Sequence, residues 1–322
     1  MKKKILLILF PILIALILGS SFLFFSNKEG LVDSSTIKHE DNLTRRKIYL
    51  LSEDNMVVPV TVSFTKKEGL ADEIYYVVSL LKEDNNIHDN LKGVINKDTS
   101  ITELSIQNKV ITVGFSKEFM DYDSKKELRI VEAIVWTLSQ YSEIDAVNIK
   151  VEGEILTKMP LGKTPLPKDM TKDIGINNHV FPGVLSSKRV VTYYVKTIGN
   201  GEMYVPVSNN LKEDSLSVFF DLSKQNAPLI YGLKVLKYLD DLEIKSIQEK
   251  EDTIEFNLTT SCLIEEDLVD YDVYYALQVA ISSYKEDYKV SINVEGDVLP
   301  VDGVNQENDI LVSDVIYNEI MI

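Results

Sequence analysis

Val147-Asn-Ile-Lys-Val-Glu-Gly-Glu-Ile-Leu156 returns 143 residues later as Val290-Ser-Ile-Asn-Val-Glu-Gly-Asp-Val-Leu299, with six of ten positions identical. Each stretch reads as a strand running into a Val-Glu-Gly turn, where the glycine supplies a positive φ. The same offset pairs Tyr141 with Tyr284, Ser139 with Ser282, Ala133 with Ala276 and Ile111 with Ile254. One domain is therefore written twice, without a gap.

Upstream of the repeated strand lies a helix in each copy. Ile130, Ala133, Ile134, Thr137, Leu138 and Tyr141 recur at i, i+3, i+4 and i+7, as do Val273, Ala276, Leu277, Ala280, Ile281 and Tyr284, and this face packs on a sheet. Ser124-Lys-Lys-Glu127 reads as a capping box and Asp267-Leu-Val-Asp270 as its counterpart. Further upstream, strands over 100–106 and 109–115 turn at Gln107-Asn108, matching 242–248 and 253–258. The spacing predicts a first helix from about Ala71 to Lys82. In copy two the helix is expected to start at Asn226-Ala-Pro228 and to continue through Ile230, Leu233, Leu236 and Leu239.

Each copy opens on a hairpin. Lys47-Ile-Tyr-Leu-Leu51 returns as Val57-Val-Pro-Val-Thr-Val-Ser-Phe64, and Tyr193-Tyr-Val195 returns as Tyr204-Val-Pro-Val207. Pro59 and Pro206 sit at matching places, where a missing N–H suits an edge or a bulge. The unit reads β-β-α-β-β-α-β, an α+β sandwich with helices laid on one small mixed sheet. The expected organisation is an N-terminal segment over 1–26, a tether over 27–46, a first domain over 47–159, a proline-rich linker over 160–187, a second domain over 188–302 and a tail over 303–322. Ile310, Leu311, Val315, Ile316 and Ile320 suggest that the tail forms a short amphipathic helix against copy two.

The N-terminus sets Lys2-Lys3-Lys4 before an uncharged, mostly apolar run from Ile5 to Phe25. That length spans about one hydrocarbon thickness, and the lysines keep the start of the chain cytoplasmic. The expectation is a single-pass anchor in the cell membrane with the bulk of the chain outside the cytoplasm. A cleaved signal peptide competes, since Gly19-Ser20-Ser21 resembles a cleavage site.

The formal charge of −16 argues against nucleic acid and anionic headgroups. The one cysteine, Cys262, aligns with Phe119 and reads as a core residue. His39, His88 and His179 fall in the tether, a loop and the linker, a spacing that suits neither zinc nor a catalytic triad. Glu152 and Glu295 belong to turns in separate copies and need not meet as an acid/base pair. No residue is assigned a catalytic, cofactor-binding or metal-binding role, and no cofactor is expected. Val131, Val135 and Trp136 lie off the core face of their helix and are large and apolar, which marks a candidate partner surface. Copy two has Tyr274, Gln278 and Val279 there.

The chain resembles the GerM-type sporulation and germination domain, in tandem. The resemblance rests on Lys47-Ile-Tyr-Leu-Leu51 with Val57-Val-Pro-Val-Thr61, on Ile111-Thr-Val-Gly-Phe-Ser-Lys-Glu-Phe119, on Arg129-Ile-Val-Glu-Ala-Ile-Val-Trp-Thr-Leu138 and on Val147-Asn-Ile-Lys-Val-Glu-Gly153. It covers nearly all of Lys47 to Asp302, the second copy matching less well. It departs from the family in having Ser20 where a lipidated cysteine is expected, and Lys82-Glu-Asp84 where a Gly-Pro pair is expected. The resemblance implies a fold like that of ring-building modules and a non-enzymatic assembly role in sporulation or germination. It also implies protein partners or self-association, with a cell-wall or peptide-binding module as the second reading and a carboxylate-dependent wall hydrolase as the third.

Overall fold

The computed structural model describes residues 42–178, 188–211, 213–224, 231–304 and 311–322. The expected anchor over 1–26, most of the tether and part of the linker lie outside the described residues. No helix among the described residues is long and apolar enough to cross a membrane. Residues Asp41–Ile322 form one compact unit containing both copies.

In copy one, β1 (Leu43–Ser52) and β2 (Val57–Thr65) form an antiparallel hairpin, joined at its rim by β3 (Leu91–Lys92). Helix α1 (Leu70–Ser79) lies between β2 and β3 in the chain. A second sheet takes the order β4 (Ile101–Gln107), β5 (Val110–Phe115), β6 (Ala146–Val151), β7 (Glu154–Ile155), with β5 and β6 parallel across helix α2 (Glu127–Leu138). Copy two repeats this with β8 (Lys188–Ile198), β9 (Gly201–Leu211), α3 (Leu216–Ser223), β10 (Leu233–Lys234), β11 (Ile244–Lys250) and β12 (Thr253–Leu258). A small added hairpin, β13 (Leu263–Glu265) and β14 (Leu268–Val269), precedes α4 (Tyr271–Ile281), β15 (Lys289–Val294) and β16 (Asp297–Val298).

The class is α+β, as expected, but each copy has two sheets rather than one. Helix α2 touches β1 and β2 on one side and β6 on the other. The repeated Val-Glu-Gly does not merely end a strand. Glu152 and Gly153 both have positive φ (48° and 90°), as do Glu295 and Gly296 (55° and 102°), so each forms a tight hairpin turn into a fourth strand.

Two local expectations fail for identifiable reasons. The described first helix of copy two is Leu216–Ser223, just after the hairpin; Asn226-Ala-Pro228 and Ile230 lie outside the described residues, and Leu233 and Lys234 pair with β8. Leu233, Leu236 and Leu239 are all buried, so turns with inward side chains imitate helical spacing. The capping box does not form either. Asp123 accepts from the Lys125 amide, and Glu127 turns elsewhere. In copy two Asp270, rather than Asp267, caps its helix by accepting from the Asp272 amide.

Among its described residues the tail forms no α-helix. It makes a 3-10 turn at Val312–Asp314, buries Val312, Val315 and Tyr317 in the core of copy two, and then runs as β17 (Glu319–Met321) parallel to β2 of copy one. Cys262 is buried in the core of copy two, as expected.

Candidate functional site: the junction between the copies

The hairpin strands carry almost unbroken apolar runs, and both of their faces are used. On β8, Val190, Tyr193 and Val195 join the core of copy two, while Val191, Tyr194 and Ile198 join the core of copy one. Strands β2 and β9 lie beside one another at this contact.

Two asparagines clasp the hairpins, one from the segment that follows each copy. Val57 and Tyr204 hold the same place in the two hairpins, as do Pro59 and Pro206. Asn177 Oδ1 accepts from the Val57 amide at 2.8 Å, and its Nδ2 donates to the carbonyls of Val57 at 2.7 Å and Pro206 at 2.8 Å. Asn318 Oδ1 accepts from the Tyr204 amide at 2.9 Å, and its Nδ2 donates to the carbonyls of Tyr204 at 2.8 Å and Pro59 at 2.7 Å. The partners are exchanged as a local twofold would exchange them.

The segments bearing these asparagines are themselves related: Asp173-Ile-Gly-Ile-Asn177 and Asp314-Val-Ile-Tyr-Asn318 each follow or overlap a 3-10 turn. The segment after copy one bonds to the hairpin of copy two, with the Ser208 amide donating to the Ile176 carbonyl at 2.8 Å. The segment after copy two adds β17 to the hairpin of copy one. Each unit thus completes its neighbour's hairpin. Pro59 and Pro206 fit because their carbonyls are taken by side chains and they bring no N–H that needs a partner.

Charged and aromatic groups fill the rest of the junction. Tyr317 and Tyr193 share a hydroxyl bond at 2.7 Å, and the Lys47 ammonium lies 4.4 Å from the centre of the Tyr317 ring. Burial pushes the Lys47 amine down to about 8, against the opposing field of Glu286. On α2, Glu132 is fully buried; its Oε2 takes Arg129 at 2.6 Å and the Asn177 amide at 3.2 Å. Burial raises the Glu132 carboxyl, against the pull of Arg129.

Glu127 holds the start of the linker. It accepts from the amides of Leu161, Gly162 and Thr164 and from the Tyr122 hydroxyl. Burial alone would raise this carboxyl, but the bonds from Tyr122, Gly162 and Thr164 outweigh it and hold the group at about 2. A Cβ on Gly162 would stand 2.6 Å from Glu127 Oε2, so only glycine permits this approach. With Leu166, Met170 and Ile176 in the core of copy one, the described part of the linker, 160–178, packs as part of that copy.

The candidate partner surface is corrected by this geometry. Val131, Val135 and Trp136 are 2%, 0% and 5% exposed. Trp136 Nε1 donates to the Gly175 carbonyl at 2.9 Å, with the Tyr49 ring 5.8 Å away and Lys172 over its face at 5.5 Å. The chain covers this strip itself, with β1 on one side and the linker segment on the other. Tyr274, Gln278 and Val279 are buried as well, so this helix side does not distinguish the copies by exposure. Asn177 and Asn318 escaped the sequence reading because they lie in stretches assigned to linker and tail. The repeated Asp-x-x-x-Asn was the signal that locates them.

The fold agrees with known proteins. Residues 47–157 match the family described as Germane: Sporulation and spore germination. The Spore germination protein GerM of Bacillus subtilis (strain 168) is 25% identical over 276 residues, covering 82% of this chain and 75% of that protein. The solved tandem GerMN domains of the sporulation protein GerM from Bacillus subtilis superpose with a TM-score of 0.69 at 22% identity, covering 87% of this chain and 100% of that one. The chain thus carries a Germane domain at residues 47–157 and has the tandem GerMN fold across both copies.

Proposed function

We propose that this protein is a non-enzymatic scaffold of sporulation or spore germination, held at the cell membrane through Ile5–Phe25 with its two copies outside the cytoplasm. It docks to partner proteins or to further copies of itself. The observation that carries this reading is the reciprocal clasp, which joins two like domains into one body and leaves an open edge strand at corresponding places. Strand β4 ends the four-stranded sheet of copy one and β11 ends that of copy two. An edge of this kind presents a row of backbone donors and acceptors to an incoming strand. Docking therefore uses sheet edges, because the helix face with Trp136 is already occupied.

The test replaces Thr102 and Lys245, exposed residues on β4 and β11, by proline, and cross-links the protein in sporulating cells. The expected result is loss of cross-linked partners with an unchanged unfolding curve. Full partner recovery by a folded double variant overturns the edge mechanism. Normal sporulation and germination in a strain lacking the gene overturns the reading as a whole.

A further inference from the structure

Copy two carries a cleft that copy one lacks. Tyr204, Tyr238 and Tyr275 line a space of about 200 Å³, with Glu202, Lys237 and Asp272 around it. The three rings are half-buried. Tyr204 and Tyr275 stand 6.0 Å apart at 58°. Tyr238 has a backbone φ of 72°, a conformation that an aromatic residue adopts rarely and at a cost. Its hydroxyl is fixed by donating to Asp272 Oδ2 at 2.8 Å and accepting from Lys237 Nζ at 2.9 Å. In copy one, Val57 stands for Tyr204, Glu132 for Tyr275 and Ala133 for Ala276, and all three are fully buried. The shared scaffold closes this place in one copy and opens it, lined with rings, in the other.

The chemistry of the lining selects among ligands. Ring faces offer flat apolar contact, while carboxylates and an ammonium at the rim offer acceptors and donors. A cation is disfavoured, because the Lys237 ammonium already lies 4.5 Å from the centre of the Tyr238 ring. An anion is disfavoured because the nearby ammoniums are engaged, Lys237 by the Tyr238 hydroxyl at 2.9 Å and Lys234 by Glu202 at 3.0 Å. A neutral ligand with one apolar face and a rim of hydroxyl groups remains. The volume falls below the ~300–1,000 Å³ usual for drug-sized ligands, so it suits one ring rather than a chain. We propose that this cleft binds one pyranose ring of a neutral saccharide. The proposal stands apart from edge docking, which involves β4 and β11.

The test titrates the full chain with tetra-N-acetylchitotetraose by calorimetry and co-sediments it with purified peptidoglycan. Asp272→Asn keeps the shape of the site, and Tyr238→Gly removes a ring while relieving the backbone. Saturable binding that falls at least tenfold in both variants is the expected result. Matching loss of sedimentation assigns the ring to the wall polymer; loss in the soluble titration alone assigns it to a free saccharide. Absence of saturable binding, binding unchanged in folded variants, or tighter binding of a trimethyl-lysine peptide overturns the proposal.

Discussion

Asn177 and Asn318 make the same three hydrogen bonds to exchanged partners, yet their settings differ. Asn177 is fully buried, with its amide bonded to Glu132, whereas Asn318 is half-buried beside the exposed strand β17. The difference teaches that duplicated contacts need not carry equal weight. Burial decides what a lost bond costs, since an abandoned donor or acceptor regains water at the surface but not in the core. Copy one is closed at Val57, Glu132 and Ala133, while copy two is open at the corresponding place, its tyrosine cleft.

The largest test of that contrast is Trp136→Ala. Because the indole is buried and bonded to Gly175, the variant is expected to lose about 3–5 kcal/mol in urea unfolding. A loss below about 1 kcal/mol means that this face is not covered as described. The counterpart Val279→Ala removes fewer atoms and is expected to lose less.

Next come the asparagines themselves. Asn177→Ala strands the amide and carbonyl of Val57 and the carbonyl of Pro206, and is expected to cost about 3 kcal/mol. Asn318→Ala is expected to cost about 1 kcal/mol, because water reaches its partners. Equal losses in chemical denaturation break the argument from burial.

Glu127→Gln removes the charge that holds Leu161, Gly162 and Thr164, at about 2 kcal/mol. Its carboxyl is depressed, so its contribution is complete above the ordinary carboxylate range and is lost as pH falls through about 2. Amide exchange at Leu161, Gly162 and Thr164 should stay slow at pH 4 in the parent and become fast in the variant. Slow exchange in both disproves the clamp.

The smallest effect concerns Lys47. Its amine titrates near 8 when folded and in the ordinary lysine range when unfolded, so the unfolded chain binds more protons between those values. Stability gains a rising component with pH over that window, and Lys47→Met is expected to remove it. Unfolding curves measured at pH 8 and pH 10 check the slope; an unchanged slope rejects the assignment.

What was legible in the sequence was local. Strands β6 and β15 and helices α2 and α4 were legible from the repeat and from i, i+4 spacing, although β6 and both helices are buried on more than the one face that the pattern marks. Helix α3 was missed: its eight residues give periodicity too little length, and buried turn leucines downstream gave a false signal. The apolar strip of Val131, Val135 and Trp136 was correctly singled out but assigned outward. Its cover comes from the linker segment, and pattern cannot say which distant residue sits on a face. The run Val57-Val-Pro-Val60 held part of the missing information, since a stretch without alternation is buried on both sides; Thr61 and Ser63 are buried against the alternation that follows it.

Strand β17 also imposes an order of events on the growing chain. Pro59 and Asn318 are 259 residues apart in sequence. At ribosomal speeds, roughly 15–50 s pass between the emergence of β2 and that of the strand pairing with it. During that interval the nascent β2 edge stands bare, an aggregation hazard for any factor escorting the chain to shield. The last step of folding is therefore a long-range closure, slow by topology and late by necessity.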